Sequence, residues 1–199
     1  MPKAESEMSH KQFEQAEKMR HRTGVLPLRQ FAKMAYGPNV FTGFWRLTET
    51  MIKVLMICHG NICRSPMAEF VFRDMAERRG APILVGSAAT STEEIGNPVY
   101  PPVRRLLIAH GLDPSGKTAR QLRRSEYSDW DYFVGMDSAN IRSMHRILGS
   151  DPKRKILRLL DLTPLKRDVE DPWYTRDFDA CWDDIQLGCK ALLDYISKA

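Results

Sequence analysis

The sequence predicts an α/β fold, a four-stranded parallel sheet with helices on both faces. Two observations carry that reading. Short apolar runs rich in strand-forming residues alternate along residues 52–199 with segments of helical period, the pattern of a parallel sheet covered on both sides. The first run, Val54-Leu55-Met56-Ile57, is continuously apolar, as a strand buried on both faces must be.

The elements follow in order. Lys53–Cys58 reads as the first strand. Ser65–Arg79 reads as a helix, with Met67, Phe70, Val71 and Met75 at core spacing, Pro66 at its first position, Ser65 as its N-cap and Gly80 as its terminator. Pro82–Ala89 is a second strand. Pro101–His110 is a helix with Val103, Leu106 and Leu107 inward and Gly111 at its C-cap. Asp131–Gly135 is a third strand, Ser138–Leu148 a helix capped by Ser138, and Lys155–Leu160 a fourth strand. Phe178–Lys198 is a closing amphipathic helix, in which Cys181 and Cys189 share one stripe with Phe178, Ile185 and Leu192 and read as core. Ligands of such sheets bind at the carboxyl ends of strands, and Cys58 ends the first one.

Residues 1–50 read differently. Ser9–Gln12 has the form of a capping box before Phe13, Ala16 and Met19, but Gly24, Pro27, Gly37, Pro38 and Gly43 interrupt any longer element. Eight Lys and Arg against five Asp and Glu place much of the net charge of +5 here. Two readings stand: an appendage that packs or recruits, or an upstream extension of a chain that naturally starts at Met51. The organisation is thus 1–50, an N-terminal extension of uncertain status, and 51–199, one domain.

Composition is that of a soluble protein, 43% hydrophobic and 28% charged. No apolar run approaches the ~20 residues of a membrane span, and the start lacks the apolar stretch of a secretory signal. The modest charge is unlike a nucleic-acid-binding surface. Four cysteines do not make a disulfide scaffold. The expectation is a cytoplasmic protein with no membrane or nucleic-acid partner. The five histidines show no ligand spacing, so no metal and no cofactor are expected.

Chemistry concentrates in Cys58-His59-Gly60-Asn61-Ile62-Cys63-Arg64. The loop is short, contains a glycine, follows a strand and enters a helix. Successive backbone N–H groups in such a loop form an anion nest, and the helix N-terminus adds about half a positive charge. Arg64 supplies a planar fork for two phosphate oxygens. The same field is expected to lower the pKa of Cys58 from its free value of about 8.5, making it a nucleophile beneath a bound dianion. A cysteine and an arginine six residues apart also arise by chance, and the bland alternative is a buried cysteine ending a strand.

The run Val54–Pro66 resembles the signature of the low-molecular-weight protein tyrosine phosphatase family. The resemblance continues at Gly86–Ser91, Ala119–Leu122, Met136–Asn140 and Asp171–Tyr174, in order, over residues 51–199. It implies the phosphotyrosine phosphatase I-like, Rossmann-like three-layer fold and hydrolysis of protein phosphotyrosine through a phosphocysteine on Cys58. It implies that His59, Gly60, Asn61, Ile62, Cys63, Arg64 and Ser65 bind phosphate, and that Ser87 and Asp137 support them. It also implies that Asp171 protonates the leaving oxygen and then activates water. His59, Glu93, Trp173 and Tyr174 would rim the pocket. The partners it implies are a tyrosine-phosphorylated protein, a tyrosine kinase being one candidate, with phosphate as product or inhibitor. In the family a cysteine at the position of Cys63 can pair reversibly with the nucleophile. One position departs: Lys117 stands where some members have a His in the polar network, and a charged Lys only donates.

Three rivals are weighed. Arsenate reductase chemistry on this fold needs further cysteines around residues 130–140, and Trp130–Asn140 has none. Relatives that prefer phosphoarginine carry Thr at the position of Ile62, whose longer side chain suits an aromatic ring. A non-enzymatic phosphate-binding module would lack Cys58, Arg64 or Asp171. Finally, Gly111–Thr118 matches the nucleotide-binding pattern G-x-x-x-x-G-K-[ST], but it follows a helix rather than a strand and Pro114 removes a donor, so nucleotide binding is not expected.

Overall fold

The computed structural model describes residues 51–198. The readings for residues 1–50, the capping box at Ser9 included, lie outside the described residues.

Four parallel strands stand in the order β2-β1-β3-β4: β1 (Ile52–Cys58), β2 (Ile83–Ala89), β3 (Tyr132–Gly135) and β4 (Ile156–Arg158). Order reverses at β1, so the crevice beyond its carboxyl end is the expected ligand position. Val54 to Ile57 are fully buried. Val54, Met56 and Cys58 face one core with α1 (Arg64–Arg79), α2 (Pro101–Ala109) and the closing helix α5 (Phe178–Ile196). Leu55 and Ile57 face a smaller core beneath α3 (Ser138–Leu148). The period-two alternation of β1 thus serves two apolar layers, and each buried aliphatic side chain contributes about 1.5–3 kcal/mol.

The predicted architecture stands, with local corrections. The helix after the loop begins at Arg64, and its N-cap is Cys63 without a side-chain cap bond, so Ser65 is not the cap. Its hydroxyl is turned toward Cys58 instead. Pro66 is the third helical residue, still in the turn whose N–H groups have no helical acceptor. Within α1, Phe72 and Ala76 are buried, whereas Phe70 and Met75 are only partly so. The helix lies between the sheet and α5, so its buried face is wider than one stripe. Asp137, not Ser138, caps α3 and accepts from Asn140 N. His110 is the C-cap of α2, with Gly111 just beyond it at φ 77°. β4 stops at Arg158, because Leu159–Leu162 turn into a 3-10 helix that buries Leu159 and Leu160. A one-turn helix, α4 (Pro172–Thr175), and a 3-10 turn at Arg124–Ser128 complete the described elements.

Two glycines fix close approaches around the site. A Cβ at Gly135 would lie 2.9 Å from Met144 Cε and 3.2 Å from Asn140 Cβ, so glycine lets α3 start directly after β3. A Cβ at Gly188 would lie 2.4 Å from Leu159 Cγ, so α5 packs directly on the turn that follows β4.

Candidate active site

Cys58 ends β1 and is 3% exposed. Asn61 then takes a left-handed backbone, φ 59°, which Asn tolerates better than most residues. That turn brings Asn61 N to 3.2 Å from Cys58 Sγ. It buries the Asn61 side chain, which donates from Nδ2 to Ser65 Oγ (2.9 Å) and to Ser87 Oγ (2.7 Å) and accepts from Arg120 N at 3.1 Å. Ser65 Oγ lies 3.0 Å from Cys58 Sγ. The loop is therefore tied at its centre to β2 through Ser87 and to the segment before the Arg124 turn through Arg120.

Arg64 is 3% exposed, and three of its five N–H donors are engaged. Nη1 donates to Asp137 Oδ2 (2.6 Å) and to the Val169 carbonyl (3.0 Å), and Nη2 to Asp171 Oδ2 (2.5 Å). Burial works against the Arg64 charge, but Cys58, Asp171 and Asp137 outweigh it and hold the guanidinium above its ordinary pKa. Asp137 serves two purposes: Oδ1 caps α3 and Oδ2 orients Arg64. Burial first, and then the neighbouring Cys58 and Asp171, push the Cys63 thiol far up. Cys181, buried behind it, is pushed up to about 12, by burial first.

Asp171 arrives on a separate loop and caps α4, accepting from Trp173 N at 3.0 Å. The loop is held from several sides. Val169 N donates to Met136 O (2.9 Å), and Arg158 Nη1 pairs with Asp168 at 2.6 Å. Asp168 also accepts from Ser138 N and Oγ. Arg167 grips Asp184 of α5 with both nitrogens, at 2.7 and 2.8 Å. Trp173 packs on Tyr100, ring centroids 5.1 Å apart, and the Arg176 guanidinium lies 5.5 Å from the Trp173 ring centroid.

Two cavities meet over Arg64 and Asp171. One, about 180 Å³, is lined by Cys58, Gly60, Ile62, Glu93, Glu94, Trp173 and Tyr174; the other, about 230 Å³, by Thr90, Asp137, Asn140 and Ser143; His59 and Tyr174 border both. All the site residues read from sequence are thus together. His59 stands at the rim with Nε2 3.1 Å from Glu93 Oε2, and Tyr174 is 82% exposed. Lys117 does not reach the loop and pairs instead with Glu69 of α1 at 2.7 Å. This engages the lysine of the nucleotide-like pattern elsewhere. Glu69, Val169, Arg120 and the Arg158–Asp168 pair were missed by sequence reasoning. Glu69 alone left a trace, as a charge on the inner face of a core helix, one turn after Ser65.

A profile of the low molecular weight phosphotyrosine protein phosphatases matches residues 53–199. The chain belongs to that family. A low molecular weight protein-tyrosine-phosphatase of Bacillus subtilis, YfkJ, is 40% identical over 152 residues, 74% of this chain and 97% of its own length. The crystal structure of YfkJ superposes with a TM-score of 0.73 at 39% identity, covering 76% of this chain and 98% of that one. A Drosophila arginine phosphatase, DARP, superposes with a TM-score of 0.67 at 27% identity, over 73% and 98%. Family membership agrees with the three-layer α/β fold and its parallel sheet. It makes the chain a phosphatase of the cysteine-dependent kind.

Proposed function

We propose that residues 51–199 hydrolyse phosphotyrosine in proteins through a phosphocysteine on Cys58. The observation that carries this is the convergence of Arg64 with Asp171, 2.5 Å apart at the mouth of a cavity lined by Cys58. In the first step the Cys58 sulfur attacks phosphorus, the bond to the phenolic oxygen breaks, and Asp171 gives that oxygen its proton. In the second, Asp171 takes a proton from water as the water oxygen attacks phosphorus, releasing phosphate and Cys58. Backbone N–H groups from His59 to Ser65 and the free edge of Arg64 bind the equatorial oxygens. Ile62, Trp173 and Tyr174 wall the slot for the aromatic ring. The substrate is a tyrosine-phosphorylated protein, with a tyrosine kinase as a candidate, in the cytoplasm. Among the described residues no helix is long and apolar enough to cross a membrane.

The test is hydrolysis of phosphotyrosine, phosphoarginine and phosphoserine peptides by the wild type, Cys58→Ser and Asp171→Asn. Phosphotyrosine is expected to be cleaved fastest, and Cys58→Ser to lose at least about 10⁴-fold in kcat. Phosphoarginine cleaved faster than phosphotyrosine would transfer the substrate reading to the guanidinium, and activity surviving Cys58→Ser would remove the nucleophile.

A further inference from the structure

The lining of the cavity over Cys58 is of two kinds. Ile62, Trp173 and Tyr174 supply apolar and aromatic surface, while Glu93 and Glu94 supply charge. The catalytic sequence above uses neither carboxylate, yet both are fixed at the opening. Glu93, with a side chain 70% exposed, meets His59 Nε2 through Oε2 at 3.1 Å. Glu94 Oε2 accepts from Asn97 Nδ2 at 2.7 Å. A Cβ at Gly60 would lie 3.1 Å from Glu94 Cγ, so the Glu94 stem rests on the catalytic loop itself. Among the described residues neither Oε1 has a partner, so each carboxylate reaches the opening with an acceptor to spare.

The charges around the opening do not balance. Among the described residues the two cavities are lined by four carboxylates, Glu93, Glu94, Asp137 and Asp171, against Arg64 and His59. Arg64 is 3% exposed and already paired with Asp137 and Asp171 at the floor. Any charge on His59 is answered by Glu93. Arg176 is turned to Tyr100 Oη (3.3 Å) and the Trp173 ring, and lines neither cavity. The excess at the rim is therefore negative, in a chain whose net charge is +5. A phosphotyrosine brings a dianion to this opening. The loop N–H groups and Arg64 hold the phosphate, but carboxylates within a Debye length of about 8 Å repel it. A cation beside the phosphotyrosine offsets that repulsion, and a further carboxylate adds to it.

We propose that Glu93 and Glu94 are specificity-determining residues that select tyrosine-phosphorylated segments carrying Lys or Arg next to the phosphotyrosine. The aromatic ring lies against Ile62 and Trp173, and the basic side chain takes the unpartnered acceptors of the two glutamates. The inference rests on the phosphotyrosine reading of this cavity and names the class of segment that the cavity accepts.

The experiment measures kcat and KM on phosphotyrosine peptides that are identical except for Lys, Ala or Glu at the flanking positions, at low and at high salt. At low salt the wild type is expected to favour the Lys peptide over the Glu peptide by about tenfold in kcat/KM, through KM more than kcat, and the gap should close as salt rises. Glu93→Gln should narrow the gap, the double variant with Glu94→Gln should bring the two peptides level, and Glu93→Lys should invert their order. Glu77 is exposed at the far end of α1, so Glu77→Gln makes the same change of net charge away from the opening and should leave the ratio as in the wild type. Peptides that the wild type does not distinguish, a preference for Glu, or a ratio lowered as much by Glu77→Gln as by Glu93→Gln overturns the proposal. Calorimetric binding of the same peptides to Cys58→Ser should follow the same order. A wild type that cleaves none of the phosphotyrosine peptides defeats the phosphatase reading, and binding to Cys58→Ser then decides alone: tighter binding of the Lys peptide upholds the selection, and equal binding or none overturns it.

Discussion

The loop from Cys58 to Ser65 and the loop from Leu159 to Thr175 supply the two halves of the site by opposite means. The first is contiguous, and Cys58, Asn61, Arg64 and Ser65 are each 3% exposed or less. Its bonds are buried hydrogen bonds, local ones from Asn61 to Ser65 and Cys58 and remote ones from Asn61 to Ser87 and from Arg64 to Asp137. The second is largely exposed and held by ion pairs to the elements that flank it, Arg158 of β4 to Asp168 and Arg167 to Asp184 of α5. An anion and a nucleophile need a fixed cradle, because a small misplacement at the reacting atoms is expensive. In the proposed mechanism a proton donor tolerates more freedom, and the loop that carries it would also have to admit different substrates along Trp173 and Tyr174.

Arg64 joins the two loops at Val169 and Asp171; if they are otherwise held separately, lesions away from that junction should act on one more than on the other. The largest separable effect is expected from Asp171→Asn, with kcat lower by about 10²–10⁴-fold on poor leaving groups and Cys58 alkylation at its wild-type rate. Slowed alkylation would join the loops into one unit. Asn61→Ala should instead depress both, since it removes three side-chain bonds at once and places alanine at positive φ. A loss of about 10²-fold in kcat/KM is expected, and an unaltered alkylation rate would refute the view that Asn61 organises the cradle. Arg158→Met, which frees Asp168, should lower kcat/KM about tenfold with alkylation unchanged. Trp173→Ala should be milder, raising KM for aryl phosphates about three- to tenfold with little effect on kcat.

The smallest effect concerns acid stability. At Asp151 burial raises the carboxyl pKa, but Tyr127 Oη and the N–H groups of Lys155 and Ile156 outweigh it; at Asp168 burial is outweighed by Arg158 and Ser138. Both carboxyls are held below the usual range. A depressed folded value gives stability that is present above the unfolded value of about 3.9 and is lost as pH falls through the folded one. The melting temperature should therefore hold between neutrality and about pH 5 and decline below about pH 4. Asp151→Asn should make that decline shallower, and thermal scans at several pH values would show whether it does.

The same contrast explains what the sequence could tell. The cradle was legible because strand, glycine, arginine and helix start are adjacent in one short run, and the fold because Val54–Ile57 must be buried on both faces. Asp171 was legible only through resemblance: nothing local in Asp-Pro-Trp-Tyr says that its carboxylate meets an arginine 107 positions earlier. Ser65 and Ser138 were assigned as caps by residue type, yet tertiary partners claimed Ser65 and the neighbouring Asp137 took the cap of α3. Glu69 was hidden because a single charge in a helix ordinarily faces water, and the cations that permit its burial come from Lys117 in a remote loop and Arg73 one turn on.

The contact at Gly188 has a consequence in time as well as in space. By residue 171 every group assigned to the chemistry has been synthesised, yet Leu159, against which Gly188 closes, and Asp184, which Arg167 grips, wait for the last helix. On the proposed mechanism a growing chain would pass through a stage in which Cys58 exists without a seated Asp171. Ribosome-bound fragments stopped before and after α5 should differ in phosphatase activity far more than in alkylation of Cys58.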